Sequence, residues 1–111
     1  STFFDDADPA TAEAGKFISG FKAFLVENKQ PDIIPAVSAL GYDAYLTALR
    51  AIEIAGSAKG SAIRDALAKV DIEGVTGRIT FDENGDADKD MAFIKVVENG
   101  QFKFLKTVSV I

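Results

Sequence analysis

A chain of 111 residues with 48% hydrophobic residues, nine Phe and three Pro has room for about one domain and lies far from the polar compositions that stay disordered. A net charge of −5 with scattered Lys and Arg argues against nucleic-acid binding and against attraction to anionic lipid, and no apolar run reaches the roughly 20 residues that span a bilayer. With no Cys and no His, these residues can form no disulfide, no thiolate or imidazole zinc site and no Ser-His or Cys-His nucleophile pair.

Ser1 does not open a signal peptide, so the chain reads as soluble material or as a mature fragment. Asp8-Pro9 predicts a helix start, with Asp8 as N-cap, Pro9 at the first helical position and Glu13 in the early turns. Ala14, Phe17, Ile18, Phe21, Phe24 and Leu25 recur at the spacing of one helical face, to about Asn28. Such a stripe reads as core, so this face must be covered. Lys29 to Pro35 reads as a loop. A second helix is expected from about Ser38 to Ala55, and its apolar residues Leu40, Tyr45, Leu46, Leu49 and Ile52, with four alanines, wrap most of the circumference. That pattern predicts burial on more than one side. Gly56 is a natural C-terminal stop. Ser61 is the candidate cap of a third helix whose stripe is Ala62, Ile63, Ala66, Leu67 and Val70.

From Gly74 the period changes to two. Val75, Ile79 and Phe81 alternate with Thr76, Arg78 and Thr80, predicting one strand from Gly74 to Phe81. Asp82 to Asp86 is turn chemistry around Asn84-Gly85. Met91 to Val97 and Gln101 to Val108 then read as a hairpin about Asn99-Gly100. Helices followed by strands are an odd order for a self-contained α/β domain, in which the two alternate.

Few constellations here carry chemistry. Asp82, Asn84, Asp86, Asp88 and Asp90 place oxygen ligands at every second position, but Ala87 stands where a calcium loop needs Gly and Phe93 where it needs Glu, so a solvated turn is the better reading. Gly56 to Ser61 follows a helix and lacks the Gly-Lys-Ser/Thr ending of a phosphate loop, which leaves an interhelix connection. Tyr42-Asp43 could set a phenol and a carboxylate beside a ligand. The plainer reading has Asp43 favouring the helix N-terminal dipole while Tyr42 packs. Lys29, Lys59 and Lys69 look like ordinary solvated charges.

Taken together, Tyr42-Asp43-Ala44, the run Ala51-Ile52-Glu53-Ile54-Ala55-Gly56-Ser57, the run Ala62-Ile63-Arg64-Asp65-Ala66-Leu67, and above all Gly74 to Asp86 (GVTGRITFDENGD) resemble the C-terminal region of branched-chain amino-acid-type periplasmic solute-binding proteins. Phe4-Asp5-Asp6 with Asp8-Pro9-Ala10 is similar to the segment before that family's penultimate long helix. The resemblance covers essentially the whole chain but only about the last third of a family member. It implies an α/β fold that is a fragment of a two-lobed type I periplasmic binding protein: three helices, then a strand and a C-terminal β-hairpin. Residues 1–90 would be the C-terminal part of lobe 1 and residues 91–111 the final hairpin of lobe 2. The crossovers would lie at Thr2, Phe3 and Phe4 and at Asp90 and Met91.

The implied function is the substrate-binding component of an ABC importer for amino acids or related small polar solutes, with no enzymatic activity and no cofactor. The implied partners are the solute, an ABC permease, and the rest of the binding protein or a second copy of the fragment, with neither nucleic acid nor membrane insertion. The implied location is periplasmic, or extracellular on a lipoprotein anchor. The residues expected to line the cleft are Val37, Ser38 and Ala39, with Tyr42 behind them. Helix faces meant to cover an absent sheet should then stand exposed, so that the piece alone would pair with a copy or belong to a longer protein. Two other readings remain open: a free-standing α+β interaction module, and a clamp that senses solute without transporting it. A hydrolase or transferase built on Tyr42, Asp43 or the Asp82 to Asp90 run lacks a nameable pair of base and orienting group.

Overall fold

Thr11, not Asp8, opens the first helix. In the computed structural model, which describes residues 2–110, the Thr11 hydroxyl accepts the Ala14 amide at 3.0 Å and donates to the Gly74 carbonyl at 2.8 Å. Helix α1 therefore runs Ala12–Glu27, and one side chain both caps it and ties it to a strand. Asp8 is occupied elsewhere: its amide donates to the Asp5 carbonyl at 3.3 Å, closing a turn, and its carboxylate accepts the Thr107 hydroxyl at 2.9 Å. The far end falls where the pattern placed it, with the Asn28 amide and side chain both donating to the Phe24 carbonyl.

Helix α2 (Ala36–Ala55) begins straight after Pro35, whose backbone has φ −63° and ψ 143°. It thus starts ahead of the expected Ser38, because the proline ring presets the entry and no side-chain cap is needed. Gly56 stops it in the left-handed region at φ +61°, as read from the sequence. Helix α3 (Gly60–Leu67) has no side-chain cap. Ser61 lies inside it, and Ser57 instead accepts the Lys59 amide at 3.1 Å.

The expected single strand from Gly74 to Phe81 is corrected to a hairpin. Strand β1 (Ile72–Gly74) pairs antiparallel with β2 (Gly77–Phe81), and Gly74 faces Gly77 across the two-residue turn Val75-Thr76. Both turn residues are buried, so by composition and alternation they read as strand interior. Gly77, at φ +95°, completes the reversal. The short β3 (Ala87–Asp88) adds to β2. Between them the Asp82 carboxylate accepts the Asn84 and Asp86 amides, both at 2.9 Å, so the acidic run folds as a turn.

Strands β4 (Met91–Glu98) and β5 (Gln101–Ser109) form a separate two-stranded sheet. Asn99 and Gly100 both take positive φ, +53° and +76°, as a two-residue hairpin turn of matching twist requires. Ile94 faces Lys106 but Lys95 faces Phe104, which leaves Leu105 as the extra residue of a bulge.

Two apolar clusters hold the helices and the first sheet. Phe4, Ala14, Ala39 and Val75 form one, with Phe17 and Tyr42 against it; Ala51, Ala66 and Val70 form the other, with Ile63, Ile72 and Phe81 against it. Helix α2 spans both. Its inner residues Ala39, Asp43, Thr47 and Ala51 are small or polar, which lets its neighbours approach closely. The expectation of burial on more than one side is met on this side alone. On the opposite side Tyr45, Leu49 and Ile52 stand exposed at helical spacing, and Val37 and Leu40 are exposed in the first turns of the helix.

The whole surface reflects this. It measures 7300 Å², against about 5,900 Å² for a compact monomer of this mass. The radius of gyration is 15.7 Å, against about 13 Å for a compact domain of this length. These residues form a mixed α/β piece with three helices and two small sheets and without a covered central sheet. No helix among the described residues is long and apolar enough to cross a membrane.

Candidate functional site

The N-terminal half of α2 carries the expected cleft residues, and the structure gives each a distinct place. Val37 is 71% exposed. Ser38 is half-buried, and its amide donates to the Pro35 carbonyl at 2.9 Å. Ala39 is fully buried beside Phe4, Ala14 and Val75, so its methyl faces the core. The Tyr42 ring lies 5.1 Å from the Phe17 ring, and its hydroxyl donates to the Glu13 carboxylate at 3.0 Å. That hydrogen bond first, then burial and the charges of Glu13 and Asp43, push the phenol above its ordinary value. Along α1 and Tyr42 runs a groove of about 410 Å³ floored by Phe17, Phe21 and Phe24.

Asp43 is the organising residue next to this face. It is 3% exposed, and its carboxylate accepts the Val75 amide at 2.7 Å, the Thr76 amide at 2.8 Å and the Thr76 hydroxyl at 2.6 Å. A buried charge is tolerated when donors saturate it, as three do here. The β1–β2 turn is thus clamped to α2 by one side chain. Gly74 is part of that clamp, since a Cβ there would lie 2.5 Å from the Asp43 carboxylate oxygen.

The same network reaches the segment before β4. Lys89 donates from Nζ to the Thr76 hydroxyl oxygen at 2.7 Å, while its ammonium stands 5.7 Å from the centre of the Phe3 ring. Burial lowers the Lys89 pKa, and the charges of Asp43 and Asp90 oppose that shift.

The expected crossover residues come together beside it. Thr2 and Phe93 exchange both backbone hydrogen bonds, at 2.9 and 2.6 Å. Phe4 packs edge-on to Phe17 at 5.9 Å. The Asp90 carbonyl accepts the Val110 amide at 3.1 Å, and Met91 begins β4 opposite Ser109. Lys95 of β4 reaches Asp5 at 3.0 Å. The two chain passages expected to link lobes therefore lie side by side.

Sequence reasoning placed Asp43 at a helix dipole and did not single out Thr76 or Lys89. Val75 and Thr76 carry none of the Gly, Asn or Asp that marks a two-residue hairpin turn, so no local signal pointed to this one. The arrangement is a set of fixed hydrogen bonds that orients a helix face against two chain crossings.

Three comparisons bear on this geometry. A family model described as a periplasmic binding protein matches residues 1–101. Among solved structures, the leucine binding protein LivK of Thermotoga maritima superposes with a TM-score of 0.79 and is 34% identical, over 98% of this chain and 30% of that one. The chain spans less than a third of that protein's length. No curated protein matches the chain.

Proposed function

The chain belongs to the periplasmic binding protein family, whose members bind solutes and are not enzymes, and from that premise we propose that it is the C-terminal portion of a two-lobed trap for an amino acid such as leucine. Residues 1–90 contribute to lobe 1 and residues 91–111 close lobe 2, with crossovers at Thr2 to Phe4 and at Asp90 and Met91. Solute held between the lobes favours the closed state through its greater affinity for it. The loaded protein then delivers its cargo to an ABC permease, in the periplasm or at an extracellular face.

The observation that carries this reading is the match to a leucine binding protein along nearly the whole chain. The unpartnered stripe of α2 and the excess surface support it over a free-standing interaction module, because the remaining two-thirds of such a trap would cover that face. Val37 and Ser38 offer the cleft a small side chain and a hydroxyl, while Ala39 and Tyr42 hold their helix turn in place from behind. Binding of this kind needs no cofactor and no proton transfer.

Calorimetric titration of L-leucine into the longest form of the protein that carries these residues tests the proposal. One-to-one binding accompanied by a smaller radius of gyration in solution scattering is the expected result. Heat and scattering curves unchanged by L-leucine and by every other common amino acid would overturn it.

A further inference from the structure

Lys89 forms no ion pair within 4 Å among the described residues, yet it is half-buried and hydrogen-bonded. A charge taken from water normally keeps a carboxylate partner. Here its partner is the hydroxyl oxygen of Thr76, whose own hydrogen is committed to Asp43 at 2.6 Å. Asp43 in turn is held by two backbone amides and cannot rotate away. The chain Lys89–Thr76–Asp43 therefore ends on a rigid anchor in α2 rather than on a mobile surface acid.

Its other end lies at both crossings. Lys89 is in the segment that leads into β4 at Met91, and its ammonium faces the ring of Phe3, one residue from the Thr2–Phe93 pairing. A lysine with one donated hydrogen bond and one aromatic face is a strut held at its charged end by two elements.

Resting on the two-lobed reading above, we propose that Lys89 is a positioning residue: through Thr76 and Asp43 it fixes the second crossover against lobe 1 and so sets how far the lobes stand apart before solute arrives. It touches no solute. A trap whose crossovers are already fixed loses less order on binding than one whose crossovers move freely, so removing the strut should weaken binding without changing the cleft.

The test compares the full-length protein with its Lys89→Met, Lys89→Arg and Thr76→Val variants, using L-leucine as probe. Lys89→Met should raise the radius of gyration of the unliganded protein and weaken L-leucine binding roughly two- to thirtyfold. Lys89→Arg, which can still donate to Thr76, should restore most of both. Thr76→Val should reproduce the loss, and the double variant should be no worse than either single one. If Lys89→Met fails to fold, Thr76→Val carries the same comparison. An unliganded radius of gyration and an affinity both unchanged in Lys89→Met or Thr76→Val overturn the strut while leaving the solute-binding proposal standing. If the parent protein ignores L-leucine, that proposal falls, and the unliganded radius of the variants still decides the strut.

Discussion

The Asp43 carboxylate accepts both the amide and the hydroxyl of Thr76, at 2.8 and 2.6 Å, across 33 positions of sequence. Helix α2 and the β1–β2 turn consequently share one buried charge. Asp43→Ala would strand two amides and one hydroxyl away from water. The expected loss of stability is at least about 3 kcal/mol. Asp43→Asn, which keeps one acceptor oxygen, should lose less, and chemical denaturation of both variants checks the order.

Gly74 and Gly20 should respond in opposite directions to the same substitution. A Cβ at Gly74 meets the clamped carboxylate at 2.5 Å, whereas a Cβ at Gly20 in α1 meets nothing within 4 Å. Gly74→Ala should destabilise by about 1–3 kcal/mol. Gly20→Ala should stabilise by roughly 0.5–1 kcal/mol, since it only removes backbone freedom from the unfolded chain. Thermal melts of the two variants, side by side, give the comparison.

Asp71 and Arg78 form an exposed two-pronged pair, at 2.9 and 2.7 Å. The hydrogen bonds from Arg78 hold the Asp71 carboxyl below its ordinary 3.8; burial opposes them, and the Arg78 charge adds a smaller push in the same direction as the hydrogen bonds. The folded state therefore binds the proton less readily than the unfolded one. The pair's contribution is full above pH 3.8 and is lost as the pH falls through the lowered value. In denaturant midpoints measured from pH 7 to pH 2, the gap between the parent and Asp71→Asn should be constant at neutral pH and close in acid.

Lys89 behaves in the opposite sense at the alkaline end. Its folded-state pKa lies below the ordinary 10.5, chiefly through burial, so between that lowered value and 10.5 the unfolded chain holds more protons than the folded one. This group's contribution to stability rises with pH across that window. Lys89→Met should flatten the rise, and urea midpoints from pH 8 to pH 10.5 would reveal it. An identical slope in the two proteins would mean that Lys89 is solvated.

Much of this was legible locally. The helical spacing of Phe17 and Phe21, the stop at Gly56 and the turn at Asn99-Gly100 follow from spacing and backbone preference alone, which need no distant partner, whereas the expected cover over that Phe face is met only in part, with Phe24 57% exposed. The features missed are those settled by remote contacts. Val75-Thr76 turns because a carboxylate from α2 satisfies its amides, and composition cannot tell a buried turn from a strand. Thr11 wins the cap from Asp8 because it also reaches Gly74. For the site, the proposed cleft role of Val37 and Ser38 came through resemblance, while Lys89 looked like one more charge in an acidic stretch. Its importance depends on Thr76, 13 positions earlier, whose hydroxyl gains its orientation only from the fold.

The bulge at Leu105 and the two exposed lysines Lys103 and Lys106 share strand β5 with an almost bare Phe102, 79% exposed. In this piece by itself, an uncovered strand of this kind would otherwise template the stacking of further copies into fibrils. The kink spoils the flatness that such stacking needs, and the charges of Lys106 and of Lys103, which pairs with Glu98 at 3.7 Å, keep the edge hydrated against an incoming copy. Neutralising both lysines would leave the aromatic side chains of the isolated piece free to zip, turning a quiet margin into a seed for aggregation.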